Sequence, residues 1–167
     1  LIADYGLNPE RVTLVPNGVD LERFAAAAAE ARGASESLRV GFLGRLEHRQ
    51  KGVFFLPPIV AALDRLQLPF QLTIAGQGVH RKALERRLSR FIDRGVVEIV
   101  GPVARDQVPE LLSRFDVLAF PSQFEGCPNV LLEAMAAGCV PVASHLGGIT
   151  DWIVDDGATG FIVPMGD

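Results

Sequence analysis

Cysteine is scarce here: Cys127 and Cys139 are the only two among 167 residues, and neither a metal-ligand spacing nor a secretory context accompanies them. Neither a disulfide framework nor a zinc cluster is therefore indicated, and a reducing cytoplasm suits such usage. The histidines His48, His80 and His145 are scattered and add no cluster. Basic runs are also missing. The net charge of −4 comes from acids and bases interspersed along the chain, which leaves no electrostatic footprint for nucleic acid. Long apolar runs are absent too, because Glu133, Gly138 or prolines interrupt the most apolar segments within fewer than the ~18 residues a membrane span requires. The opening LIADYGLNPE lacks a basic region followed by an apolar one, so no signal peptide is expected. No initiator methionine is present, and MGD closes the chain directly after FIVP, which reads as a piece of a longer polypeptide.

What is present is enough for one domain over residues 1–167, since 49% of residues are apolar and 22% charged. Short β-rich runs recur at 39–44, 70–76, 96–101, 116–121, 139–144 and 160–164, with an opening strand and turn predicted at 12–20. Between them lie helical patterns at Gly52–Leu66, Val79–Arg94, Arg105–Arg114, Pro128–Ala137 and Ile149–Val154. The alanine run Ala25–Ala29, with its neighbours to Ser37, reads as a helix end and surface loop. Pro57 and Pro58 must either delay or kink the first pattern. Strands that are apolar on both faces and joined by helical crossovers predict an α/β fold, a doubly wound, Rossmann-like parallel sheet. In that class ligands lie beyond the carboxyl ends of the strands.

Gly76-Gln77-Gly78 begins like a dinucleotide fingerprint, but Arg81 stands where its third glycine belongs. Neither a P-loop nor a G-x-S-x-G elbow occurs. Charged residues at strand ends remain. Arg45 and Lys51 follow one strand, and Glu125-Gly126 follow another. Pro128 then opens a helix whose first amides, from Cys127, Asn129 and Val130, would face an anion. Two cations and a helix start could hold a diphosphate without a metal. Helical spacing places Asn129, Glu133 and Ala136–Ala137 on one face, and Leu131, Leu132 and Met135 toward the core. Glu133 would then suit the paired hydroxyls of a ribose. Taken singly, the cations also fit a solvated loop, and each glutamate an ordinary surface acid.

Jointly, VPNGVDLERF, GFLGRLEHRQKG, LTIAGQG, DVLAFPSQFEGCPNVLLEAMAAGCVPVAS and GGITDWIVDDGATGFIVP resemble the donor-binding, C-terminal half of retaining GT-B glycosyltransferases of family four. The E-x7-E spacing of Glu125 and Glu133 is the most specific part. The resemblance implies transfer of a sugar from a nucleoside diphosphate donor, uridine favoured, to an acceptor hydroxyl with retention, in cell-surface glycan or glycolipid synthesis. It implies that Gly44, Arg45 and Lys51 hold the diphosphate and that Glu133 takes the ribose. Glu125 with Gly126, Cys127, Pro128, Asn129 and Val130 would meet the donor sugar, and Gly101 to Val103 would border the base. Arg45, Lys51 and Glu125 are thus the expected catalytic residues, with no metal or cofactor. It further implies an acceptor-binding N-terminal domain and a crossing C-terminal helix outside these residues, with peripheral association at the inner face of the cell membrane. An isolated half of this kind is expected to be inactive. Three points depart from the family: Cys127-Pro128 where an aromatic residue and a glycine are common, Asp151 in place of glutamate, and the missing domain. A nucleotide-sugar sensor, or a related epimerase or phosphorylase, is the alternative reading.

Overall fold

Strands with apolar side chains on both faces are stable only between two helical layers, and this chain supplies both. The computed structural model describes residues 5–6, 8–13, 15–31, 33 and 35–166. In chain order they form α1 (Leu21–Ala31), β1 (Leu38–Leu43), the one-turn α2 (His48–Lys51), α3 (Leu56–Arg65) and β2 (Phe70–Ala75). Next come α4 (Arg81–Asp93), β3 (Val97–Val100), α5 (Val108–Ser113), β4 (Val117–Phe120), α6 (Asn129–Ala136), β5 (Val140–Ser144), α7 (Thr150–Ile153) and β6 (Phe161–Val163). The six described strands are all parallel, in the order β3-β2-β1-β4-β5-β6. This is the doubly wound sheet expected, with strands and most helices close to their predicted bounds. Among the described residues no helix is long and apolar enough to cross a membrane.

Alternation along the strands divides the core in two. Val40 and Phe42 of β1 join Leu72 and Ile74 of β2 against Leu56 and Val60 of α3 and Leu84, Leu88 and Phe91 of α4. On the opposite face, Leu118 and Phe120 of β4 and Ala143 of β5 meet Phe24, Leu112, Leu131, Ala134 and Ala137. Each fully buried leucine contributes roughly 1.5–3 kcal/mol relative to exposure. Pro57 resolves as a first-turn residue, where its missing N–H costs nothing, so the helix starts late at Leu56 after a 3-10 turn at Val53–Phe55.

Three expectations need correction. The described residues within 12–20 form no strand; Leu14 lies outside the description. Val15, Pro16 and Asn17 instead lie beside the start of α6, where the Asn17 amide donates to Asn129 Oδ1 at 2.6 Å. The alanine run is the body of α1, not a helix end: Phe24 and Ala28 are buried, and α1 packs on α5 and α6. The core stripe of α6 is Leu131, Ala134 and Ala137. Ala137 therefore leaves the face assigned to it beside Glu133, and Leu132 is only half-buried at the rim.

Strand order reverses between β1 and β4. Their ladder registers only Val40 with Val117 and Gly41 with Leu118, whereas β1 and β2 stay paired from Leu38–Phe70 to Leu43–Ala75. The carboxyl ends of β1 and β4 consequently open into a crevice. A separate apolar groove of about 320 Å3 lies between α3 and β5–β6, lined by Ile59, Leu63, Val142 and Val163. Among the described residues no charged side chain lines it, so none there would hold a phosphate.

At the crevice Gly52 adopts φ +62°, and a Cβ there would lie 1.8 Å from the Pro121 carbonyl oxygen. Gly52→Ala is expected to lower stability by at least about 2 kcal/mol, combining left-handed strain with the clash. Urea unfolding should show a lower midpoint at unchanged slope. An unchanged midpoint would mean that the two loops do not approach this closely.

Candidate functional site

The loop leaving β1 is rigid for local reasons. Glu47 caps α2, accepting the Arg49 and Gln50 amides at 2.6 and 2.9 Å. These bonds, the Gln50 amide foremost, hold its carboxyl below the usual range. The exit from β2 braces the same loop: the Leu46 amide donates to Gln77 O at 2.8 Å, and the His80 amide to Leu46 O at 3.0 Å. The His48 amide reaches His80 Nδ1 at 3.1 Å. Glycine permits this contact, because a Cβ on Gly76 or Gly78 would sit 1.9 Å from Gly44 O or 2.4 Å from Leu46 O. The Gly-x-Gly pair thus serves close packing between loops. Arg81, in the failed third-glycine position, donates to Ile99 O and Val100 O at 2.9 and 3.2 Å and caps the end of β3.

Across the crevice, the loop from β4 brings Glu125 to Lys51. The Lys51 Nζ lies 2.6 Å from Glu125 Oε1, with side chains only 16% and 7% exposed. Glu125 Oε2 accepts a long hydrogen bond of 3.4 Å from Gln50 Nε2. Gln50 Oε1 in turn accepts a short bond from Arg45, whose side chain is otherwise exposed. Gln123 fixes the two loops, its backbone amide bonding Gln50 O at 2.7 Å and its side chain His48 O at 2.6 Å. Arg45, Lys51 and Glu125 are therefore brought together through Gln50. Glu125, expected to face a sugar, is ion-paired within the site.

The start of α6 completes one side. Pro128 is buried and extended at the N-cap, and the amides of Cys127, Asn129 and Val130 have no acceptor among the described residues. Asn17 bridges Asn129 Oδ1 and the Cys127 carbonyl. One turn on, Glu133 is half-buried, and its carboxylate has no hydrogen-bond or ion-pair partner among the described residues. Desolvation raises its pKa, opposed by attraction to Arg105. Arg105 lies in the loop after β3, which begins with Gly101 and Val103; both are half-buried, and Gly101 O accepts the Gly76 amide at 3.0 Å. Gly126 is exposed, and Cys127 half-buried. With Val15, Gly148 and the 58%-exposed Trp152 they wall a cavity of about 260 Å3. Gln50, Gln123, Asn17 and Arg105 were not anticipated. Asn17, Gln50 and Gln123 lie inside the stretches that carry the family resemblance, but spacing alone does not single them out; their partners in the fold do.

Residues 37–167 match the family described as "Glycosyl transferases group 1". The chain is 34% identical over 160 residues to a glycogen synthase of Mycobacterium tuberculosis, covering 93% of this chain and 37% of that protein. It is 32% identical over 177 residues to a D-inositol 3-phosphate glycosyltransferase of Kribbella flavida, covering 98% and 42%. Among solved structures, Anabaena HepE in complex with UDP and glucose superimposes with a TM-score of 0.78 at 24% identity, over 99% of this chain and 46% of that one. WaaG, a glycosyltransferase involved in lipopolysaccharide biosynthesis, gives 0.73 at 24%, over 98% and 45%. The fold is that of the C-terminal half of GT-B glycosyltransferases, and the chain spans less than half the length of these relatives.

Glu133 carries a stability consequence. Because its folded pKa is raised, the stability linked to its neutral form is complete below the unfolded value and is lost as pH rises through the folded one. Glu133→Gln should therefore melt above the parent at pH 7, and the two should converge near about pH 3.5, where the carboxyl is neutral in both states. Thermal unfolding at the two pH values checks this. Equal melting at pH 7 would show that the carboxylate is not penalised.

Proposed function

The chain belongs to the glycosyl transferases group 1 family, and we propose that residues 1–167 form the unit that holds a nucleoside diphosphate sugar. The observation carrying this reading is the convergence of Arg45, Lys51, Glu125 and the α6 start on the β1–β4 crevice. Arg45 and Lys51 beside Gly44 take the diphosphate, aided by the amides of Cys127, Asn129 and Val130. Glu133, a carboxylate without a partner among the described residues, accepts from the ribose hydroxyls. Gly101 to Val103 border the base. Glu125, with Gly126 and Pro128, lies toward the sugar.

In the parent enzyme the sugar passes to an acceptor hydroxyl with retention, the acceptor approaching on the face the nucleotide leaves. Negative charge grows on the departing diphosphate, and preorganised cations at Arg45 and Lys51 stabilise it most where it is greatest. No step requires a metal. The acceptor, a sugar or glycolipid of a cell-surface glycan, is held by the part of the parent beyond these residues. Cytoplasmic placement, peripheral at the membrane, fits such a substrate. A uridine donor is favoured by the likeness to HepE, which was crystallised with UDP and with UDP-glucose.

Calorimetric titration with UDP, GDP and ADP tests the reading. One nucleotide should bind, and Lys51→Ala and Glu133→Ala should each weaken it by more than about 1 kcal/mol, as expected for lost charge-assisted bonds. Circular dichroism verifies that both variants fold. Absence of binding at millimolar nucleotide, or indifference to both substitutions, overturns the assignment.

A further inference from the structure

A nearly buried ammonium cannot serve two anions equally. Lys51 is committed to Glu125 at 2.6 Å, and the other Glu125 oxygen is reached only by the long bond from Gln50, among the described residues. The acceptor oxygen of Gln50 is taken by Arg45. Arg45, Gln50, Glu125 and Lys51 thus form a chain in which the cations and the carboxylate satisfy one another. A diphosphate that draws Lys51 away deprives Glu125 of its ion-pair partner. What is left is a carboxylate with a side chain 7% exposed, held by one weak amide bond. Removing the partner of a buried charge is costly. Hydroxyl groups reverse that cost, because each can donate to the carboxylate Lys51 has left. A sugar joined to the diphosphate brings such groups to Glu125; the nucleoside diphosphate alone has only its ribose hydroxyls, which the donor-site reading gives to Glu133.

Building on the donor-site reading above, we propose that Glu125 is a specificity-determining residue: it competes with the diphosphate for Lys51, and the donor sugar relieves that competition by occupying Glu125. The site is thereby selective for the intact nucleotide sugar over the nucleoside diphosphate. The same exchange drives product release. Once the sugar departs, Glu125 loses its hydroxyl donors and returns to Lys51, displacing the diphosphate.

The experiment is calorimetric titration of the full 167-residue chain and its Glu125→Gln variant with UDP and UDP-glucose. If guanosine or adenosine is the base that binds, GDP with GDP-mannose or ADP with ADP-glucose replaces that pair. The amide keeps the shape and the bond to Gln50 but not the charge. It should bind the nucleoside diphosphate about tenfold more tightly than the parent, and gain nothing for the nucleotide sugar. In a Lys51→Met background, Glu125→Gln should bring no gain, which separates competition for Lys51 from a general loss of negative charge. Glu125→Asp, with the carboxylate withdrawn by one methylene, should tighten nucleoside diphosphate binding in the same direction should the amide variant not fold. Unchanged nucleoside diphosphate affinity in the variants, or a gain that survives in Lys51→Met, overturns this inference alone. No binding of any nucleotide by parent or variants overturns the donor-site reading and the inference with it.

Discussion

Lys51 and Glu125 lie 2.6 Å apart and mostly out of water, where β1 and β4 part company. Such a pair adds little net stability, since desolvating both charges offsets most of their attraction. It cannot by itself hold the two loops in place. Neutral contacts do that: Gly52 against the Pro121 carbonyl, the Gln123 bonds to Gln50 and His48, and the glycines of the β2 exit beneath Leu46. The backbone sets the spacing, and within it the charges find each other. Polar function at this sheet edge therefore depends on residues that carry no polar chemistry at all.

Glu133 is the opposite case. Among the described residues no partner compensates its half-buried carboxylate, and Arg105 only moderates the penalty. Stability alone would favour an amide or apolar residue there. An acid held at a cost in a crevice is a common mark of a binding surface, since a ligand can supply the missing donors. Glu125 and Glu133, eight positions apart in one segment, thus sit in contrasting environments, one answered within the fold and the other waiting for an answer from outside it.

Much of this architecture was legible in the sequence because buried parallel strands are apolar at consecutive positions and bounded by glycine or proline. The converging cations and the helix start were legible for a related reason, as they follow strands whose ends define the crevice. What escaped were relations set by distance. Val12, Thr13 and Val15 look strand-like, but a strand needs a ladder partner, and among the described residues none is registered with them. Helical spacing gave α6 its period but not its rotation, which the packing of Ala134 and Ala137 decides. Lys51 and Glu125 are separated by 74 positions, and no local pattern announces that one neutralises the other. Gly76 and Gly78 imitate a nucleotide motif while meeting a loop some thirty residues earlier.

The core itself is almost partitioned along the chain. Apart from Ala119, the cluster on α3 and α4 is drawn from residues 38–99, and apart from Leu43 the other comes from Val19, Phe24 of α1 and the segment from Val108 onward. The two units meet along a seam, the β1–β4 ladder, where only two residue pairs are in register. The crevice opens on that seam, with cations contributed by one unit and carboxylates by the other. A molecule that bridges it fastens the halves together, so that occupancy of the site and cohesion of the sheet become a single variable.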